Sequence, residues 1–328
     1  MGIFYKAVKT ISKKALITVG VLVFVACACI VVFSLFQYGV ISFKEPKKIE
    51  LDNLGSASEL EGNVGIVSIF ASDDYYKWDF SSAADREKRD SIFRYTAIAT
   101  EWLTEQAKKY GKTLTWSAAE NEDSDFYYES TFKGQCAANN KVLYREVPEE
   151  WAYIDKNIDN DMLRSKYNCE NMVYLIFVNS DDESSNSAFA FYVYDEPLEY
   201  GYEIAYLPTE FGGTVLSPSV IAHEMLHLFG APDLYNIDGA GLNYKIKFEY
   251  VVYCRNEHKN EIMMTTFSIA DGEKKKLTDR IDNDLTDITA YYIGWLDEAP
   301  AEVDEYSLVH SQHEYYRQHK QDKEQNFE

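Results

Sequence analysis

SPSVIAHEMLHLFGAPDLYNIDG, Ser217–Gly239, holds the residues on which the reading of this chain turns. Ser217 suits a helix N-cap, Pro218 the first helical position, and Gly230 the left-handed residue that ends a helix. The helix between them spans about three turns. His223 and His227 stand four residues apart, so both imidazoles project from one face and can grip a single cation. Glu224 lies next to the first histidine, about a third of a turn away. It can reach a water held by that cation without being a ligand itself. Metal-assisted hydrolysis needs this arrangement, in which the ion acidifies a water and a carboxylate accepts the proton.

The third ligand decides what the site is. Gly230 lets the backbone turn away from the helix and fold back toward the histidines, which brings Asp233 to the position six residues after His227. An aspartate oxygen is a legitimate zinc ligand, and two imidazoles plus a carboxylate leave a fourth position open. By chance alone H-E-x-x-H should occur in about one chain in a hundred of this length. The bland reading, a helix with two core histidines, weakens once Gly230 and Asp233 follow at set spacing. The other histidines are worse placed: His258 lies in a polar stretch, and His310, His313 and His319 fall near the C-terminus.

The extended pattern H-E-x-x-H-x-x-G-x-x-H is the metzincin signature, here with Asp233 in the last place. His223-Glu224-Met225-Leu226-His227-Leu228-Phe229-Gly230-Ala231-Pro232-Asp233-Leu234-Tyr235 resembles the immune-inhibitor-A-like secreted bacterial metallopeptidases, which carry H-E-x-x-H-x-x-G-x-P-D-x-Y. The small snapalysins are similar and use an aspartate as third ligand. The resemblance implies one catalytic zinc on His223, His227 and Asp233, with Glu224 as general base. It also implies a Met-turn beneath the metal, for which Glu261-Ile262-Met263-Met264-Thr265 supplies Met263 in preference to Met264. Ile293-Gly294-Trp295-Leu296-Asp297 resembles the helix that follows. Ala231 stands where the family commonly has Leu, and the Met-turn lacks its usual Gly and Ser. The likeness is specific around 217–239, extends to about Asp297, and does not cover the termini.

Outward from the motif, the chain alternates strands and helices. Val64–Phe70 reads as a buried strand and Met172–Val178 as the most apolar, central one. Ala83–Tyr110 carries a helical stripe (Ile92, Tyr95, Ile98, Ala99, Trp102, Leu103) that Gly111 ends. Thr113–Trp116, Ser187–Tyr194 and Glu203–Leu207 read as further strands, and Leu285–Trp295 as a helix. This order predicts an α/β (α+β) domain with one mixed twisted sheet, a long backing helix and an active-site helix. The Ala188–Tyr194 segment is expected at the sheet edge, where an extended substrate would lie.

The ends differ in character. Ala15–Phe36 is an uncharged run of 22 residues, about 33 Å as a helix and long enough to cross a bilayer. The lysines before it direct the N-terminus to the cytoplasm and the bulk of the chain outside. The run exceeds a signal-peptide core and no small-x-small site follows, so it reads as an uncleaved anchor. The expected organisation is a cytoplasmic 1–14, an anchor at 15–38, a linker at 39–63, a catalytic domain at 64–297 and a polar tail at 298–328.

Residues 1–48 hold seven Lys and one Glu, so the other 280 residues carry most of the acidity behind the net charge of −22. Such a surface excludes nucleic acid and anionic lipid as partners. Most simply it is a solvated surface. Asp282, Asn283, Asp284 and Asp287 offer a Ca2+ cluster that matches no EF-hand loop. Cys27 and Cys29 lie in the anchor; Cys136, Cys169 and Cys254 allow one disulfide at most and form no C-x-x-C pair. The expectation is a membrane-anchored, extracytoplasmic zinc endopeptidase acting on peptide or protein substrates. The competing reading is an inactive surface-binding protein that keeps a zinc site.

Overall fold

The computed structural model describes residues 60–136, 148–181, 188–191, 202–235, 244–270 and 273–308. The expected anchor, Cys27 and Cys29, and nearly all of the 39–63 linker lie outside these residues. Among the described residues no helix is long and apolar enough to cross a membrane.

The first half of the fold comprises β1 (Gly62–Ser72), α1 (Ala83–Lys109), β2 (Leu114–Ala118), β3 (Tyr127–Thr131), α2 (Pro148–Asn157), α3 (Asn160–Tyr167), β4 (Asn171–Val178) and β5 (Phe189–Phe191). The second half comprises β6 (Ile204–Pro208), β7 (Glu210–Phe211), β8 (Thr214–Val215), α4 (Pro218–Leu228), α5 (Tyr244–Glu257), β9 (Ser268–Ala270), β10 (Glu273–Lys275), α6 (Asp287–Tyr292) and α7 (Ala301–Glu305).

One mixed sheet organises the chain, as its alternating pattern predicts. β1 runs parallel to β4 along Val64–Ala71, and its other side is shared by β2 beside its first half and β3 beside its second. β6 adds parallel to β4, and β5 adds antiparallel to β6, closing one edge. Val64–Ala71 of β1 and Met172–Val178 of β4 are buried at every position. A strand covered on both faces needs a continuous apolar run rather than an alternating one, which is what both sequences supply.

α1 begins where the Ser82 hydroxyl accepts the Ala84 N–H, with Asp85 in its first turn and Lys108 and Lys109 in its last, all favourable to the helix dipole. Ile92, Phe93, Thr96, Ala99, Leu103 and Ala107 line its buried side, and the helix packs against α4 and β2. The expected helix therefore forms, and it backs the motif helix.

β3, β7, β8, β9, β10, α2, α3, α5 and α7 have no counterpart among the sequence expectations, and α7 forms inside the segment expected to be a polar tail. α6 occupies the middle of the expected Leu285–Trp295 helix. Packing also runs past both expected domain bounds: Leu60 is fully buried before residue 64, and Val303 and Leu308 are buried after residue 297. The Trp295 indole donates to the Leu60 carbonyl at 2.7 Å, and the Leu60 N–H donates to Ile293.

Candidate metal centre

α4 places the motif as its sequence dictates, with one difference at its start. Ser217 occupies the N-cap position, but its hydroxyl meets that of Ser219 at 3.0 Å rather than capping the helix. The Ser219 hydroxyl in turn donates to the Thr266 carbonyl at 2.6 Å.

At the other end Gly230 has φ of +103°, a conformation that an L side chain rarely adopts. That reversal has two effects. The Ala231 carbonyl swings back to accept from His227 Nδ1 at 2.7 Å, and Asp233 is carried to the histidine face.

His223 Nε2, His227 Nε2 and Asp233 Oδ1 form a nearly equilateral triangle. Its edges are 3.2 Å between the two nitrogens and 3.3 and 3.2 Å from each to the oxygen. An ion about 2.0 Å from three tetrahedral ligands would hold them about 3.3 Å apart. The triangle therefore has the size of one face of a zinc coordination sphere.

The hydrogen positions sharpen the fit. His223 Nδ1 lies 2.9 Å from the Ile262 carbonyl, and a carbonyl can only accept. Both Nδ1 atoms are thus donors, and both Nε2 atoms turn lone pairs toward the carboxylate. Asp233 Oδ1 is buried and has no hydrogen-bond partner. Three such donor atoms, all within 4.8 Å of one another, could hold a metal ion.

Without one, the group must hold a proton. Burial pulls the His227 imidazolium down, but the Asp233 carboxylate outweighs it and raises the ring to about 9. Burial likewise pushes Asp233 up, yet the two rings hold it far below the carboxylate range. No other group of three His, Cys, Asp or Glu donors converges in this way among the described residues.

Glu224 is 4% exposed, and its Oε2 is buried without a hydrogen-bond partner. Burial raises its pKa, the two histidines oppose the rise, and Asp233 adds to it. A carboxylate beside the triangle with an unengaged oxygen can accept a proton.

The turn around Met263 supports the cluster from behind. Met264 N–H donates to the Glu261 carbonyl at 2.9 Å and Leu234 N–H to the Met263 carbonyl at 3.0 Å, which ties the Asp233 loop to this turn. Met263 is fully buried. Glu261, which sequence reasoning did not single out, is 1% exposed. Its carboxylate accepts from the Met263 and Met264 N–H groups and from the Thr289 hydroxyl of α6. Burial raises its pKa to about 7 against those hydrogen bonds. The signal was faint: a lone acid before an apolar pair looks like a surface residue.

Tyr235 closes the quoted motif, and the sequence alone assigns it no role. Its ring lies nearly parallel to that of His223, 6.4 Å away, and it remains 43% exposed. It flanks the cluster on the solvent side.

Other expectations fall elsewhere. His258 Nε2 meets the Tyr253 hydroxyl at 3.3 Å, away from the cluster, and His310, His313 and His319 lie outside the described residues. The residues considered for Ca2+ are engaged separately. Asp282 pairs with Arg280, Asn283 donates its amide to the carbonyls of Asn260, Thr265 and Phe267, Asp284 accepts from Asn260, and Asp287 accepts from the Tyr110 hydroxyl. Cys136, Cys169 and Cys254 are buried and form no disulfide with one another. No protein-family model matches the chain, and a search of curated proteins finds no relative.

Proposed function

We propose that the protein is a zinc endopeptidase of metzincin type, held at a membrane by residues 15–38 with its catalytic domain outside the cytoplasm. The observation that carries this reading is the triangle of His223, His227 and Asp233, with the unpartnered Glu224 carboxylate beside it. The three residues would hold zinc, which when bound acidifies a water and polarises a peptide carbonyl.

The chain's own groups do the rest. The Ile262 and Ala231 carbonyls fix the two imidazoles with Nε2 facing inward. Glu224 takes the proton of the attacking water and passes it to the departing amine; its burial strengthens it as a base. Met263 provides an apolar floor. β5, which pairs antiparallel with β6 and ends the strand order among the described residues, is the strand along which a substrate in extended form would lie.

The test is cleavage of a broad peptide library by protein of measured zinc content, with Glu224→Ala as control. Cleavage by the wild type and none by the variant is the expected result. If the fully loaded wild type cleaves nothing, the chain is the inactive zinc-containing binding protein instead.

A further inference from the structure

Lys276, just after β10, is partly buried. Its Nζ sits 4.7 Å from the ring centre of Phe267 and 5.8 Å from that of Phe211, with one long hydrogen bond of 3.4 Å to Thr266 Oγ1. Lys88, Lys108, Lys112, Lys166 and Lys275 each meet a carboxylate within 4 Å. Lys276 meets none among the described residues, in a chain with 54 acidic and 32 basic residues. Burial alone lowers its pKa, to about 8, and no neighbouring charge acts on it. An ammonium set between two aromatic faces, partly withdrawn from water and with no carboxylate within 4 Å among the described residues, is one that an added carboxylate would stabilise.

Its position says where that anion would come from. Thr266, which contacts the ammonium, accepts the Ser219 hydroxyl through its carbonyl. Ser219 precedes His223 by four residues and so shares its face of α4, about 6 Å earlier along the helix. Thr266 also follows Met263 by three residues, and Phe211 lies on the hairpin after β6, the strand next to edge strand β5. The cage is thus assembled from segments that adjoin the metal ligands. An extended peptide advances about 3.4 Å per residue. A chain with its scissile bond at the triangle would carry a nearby side chain to within reach of the cage.

We propose that Lys276, between Phe211 and Phe267, is the specificity-determining residue of a subsite for a substrate carboxylate, so that the enzyme selects peptides with glutamate close to the scissile bond. The inference rests on the peptidase reading and names its substrate class. The rings would flank the glutamate methylenes while the ammonium meets the carboxylate.

Two measurements test it separately from that reading. Binding is measured by calorimetry on zinc-loaded Glu224→Ala protein, using matched peptides that place Glu or Gln at each position in turn. Cleavage of the same peptides is measured on wild type. At one position Glu should be favoured over Gln at least tenfold in both assays. Lys276→Met should bring that ratio to about one, and Lys276→Glu should favour Lys there instead.

Equal binding of Glu and Gln peptides at every position, or a preference that survives Lys276→Met, overturns the subsite. Lys276-dependent binding of Glu peptides without cleavage by wild type would keep the subsite and remove the peptidase. Cleavage without discrimination would do the reverse.

Discussion

His223 donates its Nδ1 hydrogen to the carbonyl of Ile262 at 2.9 Å, so this imidazole is aimed by the backbone immediately before Met263. No side-chain substitution at Ile262 removes that carbonyl. What can displace it is loss of the group that shapes the turn, and that group is the Glu261 carboxylate, which gathers the two following N–H groups.

Glu261→Gln keeps the size but replaces one acceptor oxygen with a donor that faces an N–H or hydroxyl hydrogen. Zinc affinity should fall roughly 10- to 100-fold, the range for residues that orient ligands without touching the metal. Competition with a chelator measures it, and Co2+ substitution should show an altered visible spectrum. Unchanged affinity and spectrum would mean that the turn does not set His223.

Asp233 and Glu224 should separate metal binding from chemistry. Asp233→Ala removes one corner of the triangle and should lose zinc. Glu224→Ala should keep zinc at full stoichiometry and lose peptide cleavage by about 10²-fold or more. Metal analysis after dialysis, beside the peptide assay, distinguishes them. If Asp233→Ala binds zinc as tightly as wild type, the third ligand has been misassigned.

Gly230→Ala puts a β-carbon on a residue with φ of +103°. The expected loss is about 1–3 kcal/mol in the metal-free protein, by urea denaturation. Zinc affinity should fall as well, because the Ala231 carbonyl and Asp233 depend on the same reversal.

The stability of the metal-free protein should decline with rising pH through a window set by Glu261. Its pKa is about 7 in the fold against 4.5 as a free side chain. Between those values the folded state holds the proton and the unfolded state does not. The stabilising contribution is therefore full below about pH 4.5, is lost as pH rises, and is gone above about 7. It amounts to no more than roughly 3 kcal/mol. Urea midpoints across this range should show a slope that Glu261→Gln reduces; equal slopes would remove Glu261 as its source.

What the sequence revealed followed from strong local signals. The apolar runs of β1 and β4 name themselves because both faces are covered, and Pro218 and Gly230 mark the limits of α4 whatever surrounds it. Asp233 was legible because its spacing from Gly230 is a backbone constraint. Glu261 and Lys276 were not, since their significance lies in partners distant in sequence, such as Thr289 and Phe211. α2 and α3 were missed because both are short and mostly polar, with Trp151, Ile154 and Leu163 among the few residues that anchor them. Ser217 satisfied a local rule that Ser219 then overrode, since Thr266 draws the Ser219 hydroxyl away from the helix end.

The bond from Trp295 to the Leu60 carbonyl joins positions 235 residues apart. Contacts of such sequence separation form late, because the chain entropy lost in closing them is recovered only when much of the intervening structure is in place. The entry to β1 is thus sealed by a residue translated long after β1 itself. His223, His227 and Asp233 are all synthesised before that seal can form, so the segment that carries them is complete before the domain can close.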